Sequence, residues 1–154
     1  MKKLLIAFCL MLSSTAVLAQ SLEDQINLAR SAHNTDREAL ITMNVHFTSA
    51  EGEAFWPIYR EYRKAMKLNG DLRLALIQEF AASYQELTDD QALSLLSRSE
   101  NIQQDRLETR RTYADRFAEV LPGKKVARIM QMEGKLDTAI DMRLAAEIPL
   151  VKER

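Results

Sequence analysis

Residues 71–121 read DLRLALIQEFAASYQELTDDQALSLLSRSENIQQDRLETRRTYADRFAEVL, a run of 51 without a glycine or a proline. Strands of ordinary length need turns, and turns need breaking residues. A run this long without them is helical, with at most one change of direction that a polar cap can supply. The cap is at Thr88, where Gln91 stands three residues on and Asp89 and Asp90 fall in the first turn. The Thr oxygen takes an amide, the Gln side chain returns the favour, and the two acids suit the positive end of the helix dipole. From there an uninterrupted helix is expected over about 89–120, closed by Leu121-Pro122-Gly123.

Working outward, Thr48 with Glu51 and Thr35 with Glu38 repeat the capping pattern. The expected map is a segment from about 22 to 44, a second helix from about 49 to 68 closed by Asn69-Gly70, and a third from 71 to about 86. The long helix follows, and a fifth runs from Pro122 to about Glu147 before Pro149. Pro57 falls inside the second helix and is expected to kink it or to confine it to a short first turn. Leu and Ala outnumber Val, Ile and Thr, which also favours helix. The fold class is therefore all-α, an elongated helical hairpin or bundle of four to five helices. The long helix carries a thin apolar stripe of Ala92, Leu95, Leu96, Ile102, Leu107, Tyr113, Phe117 and Val120. A stripe so thin fits an extended hairpin packed against a second copy better than a compact four-helix bundle, so a homodimer is expected.

The chain opens with Lys2 and Lys3, an apolar run from Leu4 to Leu12, then Ser13-Ser14-Thr15 and Ala16-Val17-Leu18-Ala19. That is the layout of a secretory signal peptide over 1–19, cleaved after Ala19. The apolar run is too short for a membrane anchor. Residues 20–154 would then form one exported, periplasmic helical domain with no stable membrane insertion. Cys9, the sole cysteine, lies in the leader, so the remainder has no disulfide, thiolate nucleophile or cysteine metal site. Lys and Arg number 21 against 22 Asp and Glu, and without the two leader lysines the net charge falls from −1 to −3. Such a balance gives no basic field for nucleic acid.

Phe55, Tyr59 and Tyr62 share one helical face, while Trp56 points elsewhere. Their plain reading is core packing against the third or fifth helix. The sharper one makes Trp56, Tyr59 and Tyr62 a sticky protein-binding surface. Arg106, Arg110 and Arg111 stand among Asp105 and Glu108, as do Arg116 and its acidic neighbours. They read either as a solvated face laced with i, i+3 and i, i+4 pairs or as a basic rim that draws acidic clients. Met66, Met130, Met132 and Met142 are core filling or adaptable contacts. His33 and His46, even with Asp36 or Glu51, lack zinc-ligand spacing, so a metal-responsive sensor is the minor alternative. There is no nucleophile elbow, phosphate loop or HExxH, and the expectation is a non-enzyme without cofactor.

The segment Leu87-Thr88-Asp89-Asp90-Gln91 is an L-T-x-x-Q motif opening a long helix, and Phe47-Thr48-Ser49-Ala50-Glu51 is a looser version with Phe and Glu at its ends. Val120-Leu121-Pro122-Gly123-Lys124 falls where a third would stand. This pattern resembles the Spy/CpxP family of periplasmic helical proteins, which form cradle-shaped hairpin dimers. The resemblance implies ATP-independent holding of unfolded or apolar protein clients, or restraint of an envelope-stress sensor protein. Phe55-Trp56-Pro57-Ile58-Tyr59 and the tail Ala145-Ala146-Glu147-Ile148-Pro149-Leu150-Val151 are not part of that pattern. With Asn44, Thr48, Tyr62, Leu121-Pro122 and Gln131, they resemble a further group of exported bacterial helical proteins over roughly residues 40–151. That second likeness implies the fold class and carries no activity. An accessory subunit of an exported complex remains a third reading.

Overall fold

The computed structural model describes residues 37–153. The leader, the cleavage site, Thr35, His33, Asp36 and residues 22–36 of the first expected segment lie outside the described residues. The protein is all-α, and no strand occurs among the described residues. It divides into two compact units between Asn44 and Val45. In the first, residues 37–44 are helical, with Arg37 and Ile41 buried one turn apart. Thr42 Oγ1 and Asn44 Nδ2 donate to the Glu38 and Leu40 carbonyls at 2.8 Å each, the back-bonding that short polar side chains make one turn earlier on a helix.

The second unit holds three helices: α1 over Ser49–Ser83, α2 over Asp89–Ala118 and α3 over Gly123–Glu147. Both expected capping boxes form. Thr48 N–H donates to Glu51 Oε2 at 2.7 Å, and Glu51 N–H donates back to Thr48 Oγ1 at 3.2 Å. At α2, Thr88 N–H donates to Gln91 Oε1 at 3.0 Å and Gln91 N–H to Thr88 Oγ1 at 3.3 Å, beside the half-buried Leu87. Pro122 stands as the N-cap of α3, with Lys125 N–H reaching its carbonyl at 2.8 Å.

The expected stop at Asn69-Gly70 does not occur, and the second and third expected helices are one, 35 residues long. Asparagine ends helices by bonding its own backbone. Here Asn69 is buried and its Nδ2 donates instead to the Ile102 carbonyl of α2 at 2.8 Å. Lys67 and Asp71 pair at 2.7 Å across the same turn, adding the usual one-turn support. Nor does Pro57 confine the helix to a first turn. Pro57 and Glu53 are both exposed, so water can take the Glu53 carbonyl that lacks its amide. α2 ends at Ala118, close to the expected Val120, where the Val120 amide tightens onto the Phe117 carbonyl three residues back at 3.2 Å.

At roughly 1.5 Å per residue α1 and α2 are about 50 and 45 Å long. They run antiparallel: Phe55 and Tyr62 meet Phe117, Asn69 meets Ile102, and Glu79 meets Arg98. The core sits at one end of this hairpin. Phe55, Tyr59, Tyr62 and Phe117 are fully buried, and Leu121, Val126 and Ile129, on the turn into α3 and its first two turns, are buried as well. Phe117 lies 5.0 Å from Phe55 and 5.8 Å from Tyr62 between ring centroids, with Tyr113 completing the cluster 5.5 Å from Tyr62. Away from that end the contacts change character.

Candidate functional site

α3 lies antiparallel to α2 and parallel to α1. No residue of α1 comes within 8 Å of α3 between Cα atoms. Directly packed helices bring their axes to about 8–10 Å, so long side chains bridge the space here. α3 supplies carboxylates at Glu133, Asp137 and Asp141, spaced four apart and therefore on one face. α1 supplies Tyr59, Tyr62, Arg63 and Arg73, and α2 supplies Arg106 and Arg110.

The innermost rung is Glu133, whose side chain has no exposed surface. Tyr59 Oη donates to its Oε1 at 2.6 Å and Arg63 Nη1 to its Oε2 at 2.9 Å. The second rung is Asp137, held at Oδ2 by Arg106 Nη2 at 2.9 Å and Arg110 Nη1 at 3.3 Å. The third is Asp141, paired with Arg73 and, at 3.2 Å, with Arg106. Arg110 ties the ladder to both neighbours: it also donates to Tyr62 Oη at 3.4 Å and to the Met130 carbonyl at 3.1 Å. Gly134, one turn beyond Met130, leaves that carbonyl uncovered; a Cβ there would stand 3.5 Å from Arg110 Nη2.

The electrostatics follow from burial and pairing. Burial pushes the Tyr62 hydroxyl well above its ordinary range, and the Glu133 carboxylate pushes the same way while Arg110 opposes it. Tyr62 is therefore a neutral hydrogen-bonding group. For Arg106, burial works against the charge, but the bond and field of Asp137 and then Asp141 outweigh it and hold the guanidinium above its usual value. At the near end, Lys125 Nζ grips both oxygens of Glu51 at 2.9 and 2.7 Å, so the acid that caps α1 also ties down the first turn of α3. At the far end, Lys152 bonds Gln85 and stands 4.9 Å over the Tyr84 ring.

Several expected site residues sit elsewhere than on a binding surface. Tyr59 and Tyr62 are buried, because the α2 aromatics and the Glu133 carboxylate cover them, so they are core groups. Trp56 is half-buried, flanked by Phe47, Phe55 and Tyr59 at 5.6, 5.0 and 5.6 Å. Arg106 and Arg110 are turned inward onto α3 and do not form an open basic rim, while Arg111 is exposed. Arg116 reaches back across the hairpin to Glu61 at 2.7 Å. His46 is exposed. Among the methionines, Met66 is buried and Met142 is 70% exposed.

Large apolar side chains do face water, in short rows. Leu68 and Leu72 lie one turn apart on α1, and Leu93 and Leu96 one turn apart on α2, at 56–64% exposure. Leu107 and Leu150 are exposed as well. No described helix is long and apolar enough to cross a membrane, and no group of three metal-ligating side chains occurs among the described residues. No family model, curated protein or solved structure matches this chain.

Proposed function

We propose that this protein is a periplasmic, ATP-independent binding module that holds apolar segments of other polypeptides. The observation that carries the reading is the paired exposed leucines, Leu68 with Leu72 and Leu93 with Leu96. Apolar rows on a helix are ordinarily turned to the core, and each of these pairs instead presents two neighbouring apolar side chains to water, the kind of surface that marks an interaction site when it is contiguous. Here they are rimmed by charges such as Lys67, Asp71 and Arg98, which suits weak, reversible contact with a partly unfolded chain. The L-T-x-x-Q segment at Leu87–Gln91 and the export leader expected over 1–19 support the same reading through the Spy/CpxP resemblance. On this reading the ladder is scaffold, and the protein is neither an enzyme nor a cofactor carrier.

The test is aggregation of a chemically unfolded client, followed by light scattering with residues 20–154 and no nucleotide. Suppression by the wild-type protein is expected, together with its loss in a Leu68→Ser, Leu72→Ser, Leu93→Ser, Leu96→Ser variant that keeps its helical circular dichroism. No suppression at about tenfold excess, with the protein at tens of micromolar, would refute the holding activity, since micromolar affinities are well occupied at that concentration. Recovery of one stoichiometric membrane protein on pulldown, without any effect on aggregation, would instead favour docking on an envelope sensor.

A further inference from the structure

The ladder is graded along α3. Side-chain exposure rises from 0% at Glu133 to 10% at Asp137 and 39% at Asp141. The apolar attachment of α3 has the opposite gradient. Val126 and Ile129 are buried in its first two turns, whereas beyond them the only buried described residues of α3 are Glu133 and Asp137. Leu136, Ile140 and Leu144 are half-buried, and Met142 is exposed. With no close backbone approach to α1, α3 beyond Glu133 is held by the half-buried apolar side chains just named and by Asp137 and Asp141 on Arg73, Arg106 and Arg110, and past its end by the charged contact of Lys152 with Gln85 and Tyr84.

Ion pairs and apolar contacts respond to salt in different ways. The screening length shrinks from about 10 Å at 0.1 M to about 3 Å at 1 M, and screening acts on exposed pairs far more than on buried ones. Apolar burial does not weaken with added salt. Added salt therefore loosens the Asp141 rung first, Asp137 next, and leaves Glu133 and the aromatic end in place.

We propose that α3 beyond Glu133 is an ion-latched arm that rising ionic strength opens from its C-terminal end, uncovering Arg73, Arg106 and Arg110, with Tyr59, Glu133 and Arg63 as the pivot. The arm is a conformational device of the fold and does not depend on the holding activity proposed above. An environment of changing salt would thus alter which face of the α1–α2 hairpin is accessible, without unfolding it.

Amide hydrogen exchange on the full chain at about 0.05 M and about 1 M NaCl tests this. Exchange over 139–147 should quicken about tenfold, the size expected from losing two partly exposed pairs, while 55–66 of α1 changes less than about twofold. Asp141→Asn removes a carboxylate at a half-exposed position where the fold tolerates it. At low salt it should reproduce about a threefold rise over 139–147 and should blunt the remaining salt response. Glu79→Gln, which breaks the exposed pair with Arg98 elsewhere on the hairpin, should leave the arm at its wild-type rate. The proposal is overturned if salt speeds all three helices alike, if 139–147 does not respond, or if Asp141→Asn keeps the wild-type salt response.

Discussion

Glu51 serves two helices. Its carboxylate closes the capping box with Thr48 at the start of α1 and receives Lys125 from the first turn of α3. The Lys125 hydrogen bond first, and the Thr48 amide after it, hold the Glu51 carboxyl below its ordinary value. Arg98 does the same to Glu79. A carboxylate with a depressed pKa in the folded state favours folding at neutral pH. That contribution fades as the pH falls below 4.5, the unperturbed value, and on through the folded value. Denaturation midpoints followed from about pH 7 to about pH 3 should therefore fall less steeply for Glu51→Gln than for the wild type. Thr48, Thr88 and Asn69 show how far single residues were legible. The capping role of Thr48 and Thr88 follows from local spacing alone, because both partners lie within one turn. Asn69 reads as a stop for the same local reason, yet its amide is taken by a carbonyl 33 positions away, which no local rule registers.

At the scale of the element, the thin stripe of α2 has a structural cause. Where an apolar residue would ordinarily complete the buried face, α2 places Arg106 and Arg110, and their charges are met by Asp137 and Asp141. The apolar positions of α3 likewise give no single clean face, because Glu133, Asp137 and Asp141 occupy part of the buried side. Acids four apart on a helix ordinarily read as solvated, so the sequence offered the spacing but no sign that the face is covered. Gly134 matters because Arg110 passes close over it. Gly134→Ala fits the 3.5 Å gap and should gain about 0.5–1 kcal/mol in helix propensity. Gly134→Leu would drive its branch into the guanidinium, displace Arg110 from Met130 and cost about 1–3 kcal/mol. Urea denaturation of the two variants measures both, and opposite signs are expected.

For the second unit as a whole, stability is concentrated at the aromatic end. Phe117 is the one fully buried side chain of α2 and touches the rings of Phe55, Tyr59, Tyr62 and Tyr113. Phe117→Ala should cost about 3–5 kcal/mol in equilibrium unfolding, as cavities among packed rings do. The aromatic face at Phe55, Tyr59 and Tyr62 was legible from its spacing as core packing. What it packs on was legible only in part: of the two expected partners, the fifth helix, α3, does supply the Glu133 carboxylate to Tyr59, the third is part of α1 itself, and the chief partner is α2. The class and the long helix were legible because periodicity and breakers are local. The ladder was not, because it joins three helices by side chains alone.

A ladder whose rungs repeat every four residues has a property of a vernier scale. If α3 slid by one helical turn, Asp137 would arrive where Glu133 stands and Asp141 where Asp137 stands, and most charges would still meet opposite charges. Coulomb attraction by itself fixes such an alignment only weakly. The buried Val126 and Ile129 and the Lys125–Glu51 contact hold the setting at the near end; within the ladder itself, what tells the settings apart is length. Tyr59 reaches its acceptor at 2.6 Å through the longer side chain of a glutamate, and an aspartate brought to that place would stop one methylene short. The hydroxyl of Tyr59 thus acts as an index mark inside the ladder, distinguishing settings that charge alone would leave nearly equivalent, a duty separate from whatever stability its own bond confers.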